Sequence, residues 1–245
     1  MNLFSKNRAD NFFKYDWLCD PNLANWIINL LSAYGTSILD VGCGNGFMLN
    51  FYSKTFSRIA AIEPSDSFVN ILNETVKGNN IIYKQANAEL IPFPDNSFEI
   101  VLAKSSLHHF HDIHQGLSEM QRVSNKIIAV MEVIAPSEEC LPFLQKLLVE
   151  KEDGRKKSTV YTKDLLRNTI ISTIQLEQMN QLFFDQYIDI ETWLQYSDLS
   201  NERKKILLDY ILSMDSVTAN YMQLHKRNNK YMMLRRMCLC IAFIS

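Results

Sequence analysis

The sequence is short of cysteine, of net charge and of long hydrophobic runs, and each shortage excludes a class of protein. Its five cysteines are an odd, scattered set among 245 residues, so neither a disulfide framework nor a metal site is expected. A formal net charge of −2 offers no electrostatic footprint for nucleic acid. No run approaches 18 apolar residues and residues 1–17 lack a leader-like apolar segment, so no membrane span or signal peptide is expected. These shortages predict a protein of a reducing, cytoplasmic setting.

The chain does contain a regular alternation of apolar runs and helical patterns. Runs rich in β-branched residues predict strands at 37–41, 58–62, 81–85, 98–103 and 126–133. Helical patterns lie between most of these runs, at 45–55, 66–76 and 112–123. Such alternation predicts an α/β fold with a parallel sheet that is covered by helices on both faces. Outside this core, the sequence predicts helices at 21–34, 138–150, from 162, at 188–196 and 201–214, and strands within 170–184 and at 237–244.

Glycine is also scarce, yet three of the 7 glycines alternate at positions 42, 44 and 46, directly after the first predicted strand. A strand, a glycine turn and a helix N-terminus form a typical nucleotide-binding unit, because glycine lets the backbone approach a ligand closely. A dinucleotide site requires a third glycine at position 47, where this chain has Phe47. Asp40, just before the turn, would repel a pyrophosphate. The pattern therefore disfavours an NAD-dependent oxidoreductase.

Two carboxylates favour a different nucleotide ligand. Asp40 suits a ligand that carries an ammonium group. Glu63 ends the second predicted strand and can accept hydrogen bonds from the two hydroxyls of a ribose. A ribose, an adenine-sized slot and a cationic, amino-acid-like tail without phosphate describe S-adenosylmethionine.

Several motifs together resemble the class I S-adenosylmethionine-dependent methyltransferases. The segment 38–46, ILDVGCGNG, is similar to the first motif of that family, and 86–101, ANAELIPFPDNSFEIV, is similar to a later one. The segments LHHF at 107–110 and EMQRV at 119–123 continue the match. The likeness is greatest to the small-molecule branch that includes quinone-biosynthesis methyltransferases. It implies a Rossmann-like, seven-stranded, mostly parallel sheet with an antiparallel last strand, helices on both faces and a helical insertion near the C-terminus.

The resemblance also implies a role for individual residues of the cofactor site. Asp40 would hold the methionine part of S-adenosylmethionine, against a turn formed by Gly42, Cys43, Gly44 and Gly46. Glu63 would bind the ribose, with Pro64 and Ser65 beside the adenine. Asn87 and Ala88 would bracket the adenine edge, and Ser105 would line the methionine side. The family usually has Asp at the position of Asn87, whose amide oxygen can still accept from the adenine amino group.

The same resemblance predicts one methyltransferase domain spanning residues 1–245. Its parts would be an N-terminal helical lid (1–35), a cofactor-binding core (36–135) and a completion of that core (136–184). A helical insertion (185–233) would overhang the substrate side, and the last strand (234–245) would close the sheet. In the insertion, Trp193, Tyr196 and Tyr221 either line an apolar acceptor pocket or pack between helices.

Catalytic side chains are less strongly indicated. His108 and His109 follow the fourth strand and should face the cofactor; as a general base His109 is preferred over His108, although ordinary loop histidines would show the same pattern. Tyr15 either belongs to a lid over the methyl group or lies in an aromatic packing cluster. The predicted function is methyl transfer from S-adenosylmethionine to a small organic acceptor through oxygen, nitrogen or carbon. A catalytically silent cofactor-binding module is the alternative.

Overall fold

The computed structural model describes residues 19–75, 80–151, 159–197 and 199–244. The described strands are β1 (Ser37–Val41), β2 (Arg58–Ile62), β3 (Ile81–Lys84), β4 (Phe98–Lys104), β5 (Ser124–Ile134), β6 (Gln178–Asp189), β7 (His225–Arg227) and β8 (Lys230–Phe243). They form one sheet in the order β3-β2-β1-β4-β5-β8-β6, and β7 pairs with β8. The β1, β2, β3, β4 and β5 pairings are parallel, whereas β8 runs antiparallel to both β5 and β6. The predicted Rossmann-like α/β fold class is confirmed, but the sheet has eight strands rather than seven, because β7 adds a short strand beside β8.

Helices cover both faces of this sheet. The described α-helices are α1 (Pro21–Leu31), α2 (Leu49–Tyr52), α3 (Asp66–Thr75), α4 (Ile113–Val123), α5 (Leu141–Lys151), α6 (Lys163–Ile171), α7 (Ile190–Gln195), α8 (Asn201–Leu212) and α9 (Ser216–Tyr221). Helices α1, α2 and α3 pack on one face and α4 and α6 on the other. Each face carries its own apolar cluster. Because successive residues of a strand point to opposite faces, Ile38 packs in the cluster under α1, α2 and α3, and Leu39 packs in the cluster under α4 and α6.

A third apolar cluster lies beyond the sheet, in the C-terminal part of the chain. It joins α5, α7, α8 and α9 to the ends of β6 and β8, through residues such as Leu147, Trp193, Ile211 and Met233. This cluster holds the predicted helical insertion close to the carboxyl ends of the parallel strands. The predicted lid lies partly outside the described residues, as does Tyr15.

The element boundaries differ from the sequence expectation mainly in the C-terminal part. The strand expected within 170–184 begins only at Gln178, because residues up to Ile171 complete α6. The last strand begins at Lys230 rather than 237, because a hairpin with β7 extends it. Asn228 and Asn229 form the two-residue hairpin turn with φ of +48° and +61°, the left-handed conformation that such turns require.

Candidate functional site

The strand order reverses between β1 and β4, and a cavity of about 350 Å³ opens at the carboxyl ends of these strands. Open α/β sheets bind ligands at this point because the connections from the two neighbouring strands leave in opposite directions. The cavity extends from the glycine turn after β1 to the helices of the C-terminal cluster. Its volume lies in the usual range of small-molecule sites, and its length lets a nucleoside at one end and a second molecule at the other be considered as ligands.

The glycine turn has the backbone conformation that the sequence predicts. Gly42, Gly44 and Gly46 have φ angles of +79°, +57° and +77°, which side-chain-bearing residues rarely adopt. A Cβ atom on Gly42 would lie 2.6 Å from the Cβ of Ser106, so this glycine is required by packing. A Cβ on Gly44 would meet no atom within 4 Å, because Gly44 borders the cavity. The turn therefore leaves open space directly above its backbone.

Asp40 ends β1 beneath this open space and is only 2% exposed. Its Oδ2 accepts a hydrogen bond from the hydroxyl of Tyr52 at 3.2 Å. Burial raises the pKa of Asp40 to about 7, although Lys104 and the Tyr52 hydrogen bond act in the opposite direction. A buried carboxylate that lines a cavity and resists ionisation is suited to a cationic ligand, which would restore its charge.

Glu63 follows β2 and faces the same cavity. Its Oε2 accepts from the Gly44 backbone N–H and its Oε1 from that of Ser65, both at 2.9 Å. Burial raises the pKa of Glu63, and these two hydrogen bonds partly offset the shift. Each carboxylate oxygen keeps a second lone pair, so the side chain can accept from two further hydroxyls. The two backbone bonds fix its orientation toward a diol.

The predicted adenine side also lines the cavity. Pro64, Asn87 and Ala88 are all in its wall, as is Phe68 at the start of α3, which the sequence reasoning missed. The apolar spacing of α3 was the available signal for Phe68. Ser65 does not line the cavity, and its role is the backbone bond to Glu63.

Ser105 lies between β4 and the loop that carries His108 and His109. It has a φ of +53°, a strained value for a residue with a side chain, and its backbone N–H donates to the Met131 carbonyl oxygen at 2.7 Å. Its hydroxyl is buried, and no hydrogen-bond partner for it lies among the residues that the structure describes. Ser105 lines the cavity, so strain and an unsatisfied hydroxyl both occur at the predicted methionine side.

Half-buried His108 is hydrogen-bonded to buried Glu132. Its Nδ1 lies 2.8 Å from Oε2 of Glu132, a residue of β5 that is only 1% exposed. Because a carboxylate oxygen accepts, Nδ1 is the donor beside an ionised Glu132, and Nε2 of the neutral imidazole keeps its lone pair. The ring of His109 lies 4.0 Å from that of His108, centroid to centroid, and both residues line the cavity. Glu132 was missed because its partner lies 24 positions away in the chain.

The structure therefore brings together most of the predicted site residues. Cavity-lining positions include Asp40, Gly42, Cys43, Gly44, Glu63, Pro64, Asn87, Ala88, Ser105, His108 and His109. Gly46 shapes the turn without lining the cavity, and Tyr15 lies outside the described residues. Among the described residues, no three His, Cys, Asp or Glu side chains are grouped for a metal ion.

The C-terminal side of the cavity is formed by the insertion and its neighbours. Trp193 and Tyr196 line it, whereas Tyr221 does not and is 38% exposed. The interpretation of these aromatic residues as a pocket wall therefore fits Trp193 and Tyr196, but not Tyr221. Four Lys and Arg side chains that sequence reasoning did not assign to the site also line the cavity: Lys104, Lys151, Arg235 and Arg236.

These residues fit S-adenosylmethionine on features of the structure itself. The space above Gly44 admits a ligand against the backbone, Asp40 offers a buried carboxylate, and Glu63 has free lone pairs for a diol. The unsatisfied Ser105 hydroxyl is a further polar group at the same end.

Comparison with known proteins finds methyltransferases. Residues 39–126 match the family model described as a methyltransferase domain. An uncharacterised methyltransferase of Bacillus subtilis, YcgJ, is 23% identical over 180 residues, covering 71% of this chain and 70% of that protein. The ubiquinone/menaquinone biosynthesis C-methyltransferase UbiE of Hahella chejuensis is 39% identical over 102 residues, covering 36% of this chain but only 39% of UbiE.

Solved structures share the fold. The crystal structure of YcgJ superposes with a TM-score of 0.77 at 16% identity, covering 91% of this chain and 98% of YcgJ. An S-adenosylmethionine-dependent methyltransferase of Aquifex aeolicus gives a TM-score of 0.53 at 20% identity, over 72% of this chain and 92% of that one.

The fold, the site and these similarities support a class I S-adenosylmethionine-dependent methyltransferase. Within that class the chain resembles the quinone-biosynthesis enzymes, and its match spans about two fifths of the length of UbiE. The glycine turn and the two strand-end carboxylates fit S-adenosylmethionine as the methyl donor. In the part of the chain that the structure describes, every helix is too short or too polar to cross a bilayer.

Proposed function

We propose that this methyltransferase moves a methyl group to a small organic acceptor, through oxygen, nitrogen or carbon, by in-line displacement. The observation that carries the proposal is the single cavity that joins the Asp40–Glu63 end to the apolar wall around Trp193 and Tyr196. One continuous space allows a donor and a small acceptor to meet inside the protein. The reducing setting expected from the odd, scattered set of five cysteines makes the cytoplasm the proposed location.

The cofactor would be held by the residues at the strand ends. Asp40 would pair with the ammonium group, Glu63 would accept from the ribose hydroxyls, and Gly44 would let the backbone lie against the ligand. Pro64, Asn87 and Ala88 would enclose the adenine, with Ser105 beside the methionine part and the turn completed by Cys43 and Gly46. Ser65 would act indirectly, by fixing Glu63.

S-adenosylmethionine supplies an already activated methyl group. The protein therefore contributes mainly by holding the acceptor in line and excluding water. Alignment of two reactants contributes about 7–11 kcal/mol in favourable cases. The apolar wall of the cavity would supply that alignment.

His108 is the proposed general base for an acceptor that enters protonated. The Glu132 carboxylate holds the Nδ1 proton and stabilises the imidazolium that forms when Nε2 takes a proton. The sequence alone ranked His109 above His108, but His108 has the buried carboxylate partner, so the geometry favours His108. His109 would then shape the loop beside it.

Binding of S-adenosylhomocysteine, measured by calorimetry, tests the cofactor part of the proposal. We expect binding by the wild type and a loss of about 100-fold or more in Glu63→Ala, because two charge-assisted hydrogen bonds disappear. The matched control is Glu177→Gln, an exposed glutamate outside the cavity. Absence of binding at millimolar concentration, or an unchanged affinity in Glu63→Ala, would contradict the proposal.

Turnover requires a separate experiment. The protein is incubated with isotopically labelled S-adenosylmethionine and a metabolite extract, and labelled products are identified by mass spectrometry. A labelled small molecule that depends on the protein is expected. Cofactor binding without any labelled product would identify a silent binding module instead.

A further inference from the structure

The end of β4 presents a lysine to the cavity on the same side of the sheet as Asp40. Lys104 is the last residue of β4, is half-buried and lines the cavity together with Asp40. It pairs in register with Met131 of β5, and Asp40 pairs in register with Leu102 of β4. In-register residues of neighbouring parallel strands point to the same face of a sheet. Because Leu102 and Met131 both pack under α1, α2 and α3, the two charged side chains share that face.

The two side chains lie close enough to share one ligand. Adjacent strands are about 4.8 Å apart, and each residue advances a parallel strand by about 3.3 Å. Lys104 lies two residues beyond the register partner of Asp40, so their Cα atoms are roughly 8 Å apart on the diagonal. The Asp40 carboxylate attracts the Lys104 ammonium, yet the two groups do not form an ion pair. A small ligand group that carries both signs of charge therefore fits between them.

Lys104 differs in its surroundings from the other lysine and arginine side chains of the cavity wall. Arg236 forms an ion pair with Asp185. Arg235 donates a side-chain hydrogen bond to β6 at 3.0 Å, and Lys151 lies against two aromatic rings. Within the described ranges, no group hydrogen-bonds or ion-pairs with Nζ of Lys104. The Lys104 ammonium is therefore a cavity-lining donor that a ligand can use.

The amino-acid end of S-adenosylmethionine carries an ammonium group and a carboxylate on the same carbon atom. When Asp40 pairs with the ammonium group, the carboxylate must lie beside it. Lys104 can meet that carboxylate, because its ammonium offers three N–H donors on a flexible stem. Burial and the nearby charge of Arg235 lower the pKa of Lys104 to about 8, and an anionic ligand would favour its charged form. The opposite charges of the protein therefore match the opposite charges of the ligand.

We propose that Lys104 binds the carboxylate at the amino-acid end of the methyl donor, so that Asp40 and Lys104 together recognise a zwitterion. The inference rests on the proposed function and adds a specificity-determining residue to its donor site. A ligand with the carboxylate receives a charge-assisted hydrogen bond from Lys104. A ligand that keeps the ammonium group but lacks the carboxylate places two cations side by side, which disfavours its binding. The site therefore selects against decarboxylated donors.

The test compares two ligands by calorimetry, so that it does not depend on turnover. They are S-adenosylhomocysteine and 5′-deoxy-5′-(3-aminopropylthio)adenosine, which lacks only the carboxylate. We expect the wild type to bind S-adenosylhomocysteine about tenfold or more tightly than the decarboxylated analogue. Lys104→Met should abolish this preference, whereas Lys104→Arg should keep most of it, because a guanidinium also pairs with a carboxylate. The matched control is Lys146→Met, which changes an exposed lysine of α5 outside the cavity and should leave the preference unaltered.

The decarboxylated analogue also separates recognition of the carboxylate from general support of the site. If Lys104 only kept Asp40 ionised, Lys104→Met would weaken the binding of both ligands equally. Under the proposal, the analogue binds the variant about as well as it binds the wild type, since it has no group that Lys104 holds. Retained binding of the analogue also shows that the variant folds. Lys104→Gln, of similar length, is the second variant if Lys104→Met is unstable.

The outcomes distinguish this inference from the proposed function. Equal affinities of the two ligands for the wild type would overturn the inference. A preference for S-adenosylhomocysteine that persists in both Lys104→Met and Lys104→Gln would also overturn it, and would assign the carboxylate to backbone N–H groups of the glycine turn instead. If neither ligand binds to the wild type at millimolar concentration, the proposed function itself fails.

Discussion

The two ends of the cavity are built in different ways. At the cofactor end, backbone groups of a short turn and two carboxylates at neighbouring strand ends form much of the wall, and these groups lie within residues 40–63. At the C-terminal end, which we call the acceptor chamber, side chains from residues 144–235 meet across two helices and two strands. The first end depends on local backbone conformation, and the second depends on the packing of distant elements.

This difference teaches where a substitution should act. A change at the cofactor end alters backbone geometry or a fixed carboxylate, so its effect on ligand binding should be large and specific. A change in the acceptor chamber should affect the acceptor and leave the cofactor affinity almost unaltered. The following predictions test that separation, beginning with the largest effect.

His108→Ala should lower kcat for an identified, protonated acceptor about 100-fold or more, because the proposed base is lost. The affinity for S-adenosylhomocysteine should stay within about threefold of the wild-type value, since neither His108 nor Glu132 is proposed to bind the cofactor. Steady-state kinetics and calorimetry measure the two quantities. His114→Ala, on the exposed side of α4, is the control. A larger loss in His109→Ala than in His108→Ala would restore the preference derived from the sequence.

Two glycine substitutions should separate folding from binding within one turn. Gly42→Ala should lower the free energy of unfolding by about 2–4 kcal/mol, because its new methyl group meets Ser106 at 2.6 Å. Gly44→Ala should cost only about 1 kcal/mol but weaken S-adenosylhomocysteine binding tenfold or more, since the methyl group enters the ligand space. Urea unfolding and calorimetry test both. Similar unfolding costs at the two positions would contradict the geometry.

Cofactor affinity should rise with pH through about 7. In the free protein the pKa of Asp40 is raised to about 7 by burial, and an ammonium ligand favours the charged form. Below pH 7 the ligand must therefore displace a proton from Asp40, which weakens binding. Above pH 7 Asp40 is already ionised, and the affinity reaches its maximum. The groups that face Asp40 are Tyr52, Lys104, Glu63 and Cys43.

The check is calorimetry of S-adenosylhomocysteine between pH 5.5 and 8.5 in buffers of different ionisation enthalpy, which also counts released protons. Asp40→Asn should bind about tenfold more weakly at pH 8 and lose the pH dependence. An affinity that falls from pH 6 to pH 8 would show that Asp40 does not meet the ammonium group.

The smallest expected effect sharpens the comparison most. Lys151→Met should change S-adenosylhomocysteine affinity by less than about twofold, because Lys151 lies in the acceptor chamber. Calorimetry of the variant beside Lys146→Met gives the measurement. A tenfold loss in Lys151→Met alone would show that the two ends of the cavity are energetically coupled.

The accuracy of the sequence predictions also differs between locally determined features and features that depend on distant contacts. The first two strands were predicted at their observed bounds, because short β-branched runs and a glycine turn are local signals. The helix expected at 45–55 is reduced to Leu49–Tyr52, since the glycine turn continues up to its start. The β7–β8 hairpin was missed, although Asn228 and Asn229 were an available turn signal.

The site divides likewise between local and distant information. Asp40 and Glu63 were predictable because Asp40 lies next to the end of β1 and Glu63 directly follows β2, and both strands end at the same sheet edge. The partner of His108 and the environment of Lys151 were not, because each depends on contacts between residues far apart in the chain. No short motif records that β5 presents Glu132 beside the loop after β4.

The long ladder between β6 and β8 has a consequence for how such an enzyme can change. It pairs Gln178 with Phe243 at one end and Asp189 with Met232 at the other, so both exits of the insertion are held side by side. We therefore expect helices between these exits to be exchangeable without a change in the register of the sheet or in the glycine turn. Under the proposed function, such an exchange of the segment 190–224 would give a different acceptor to the same methyl donor site.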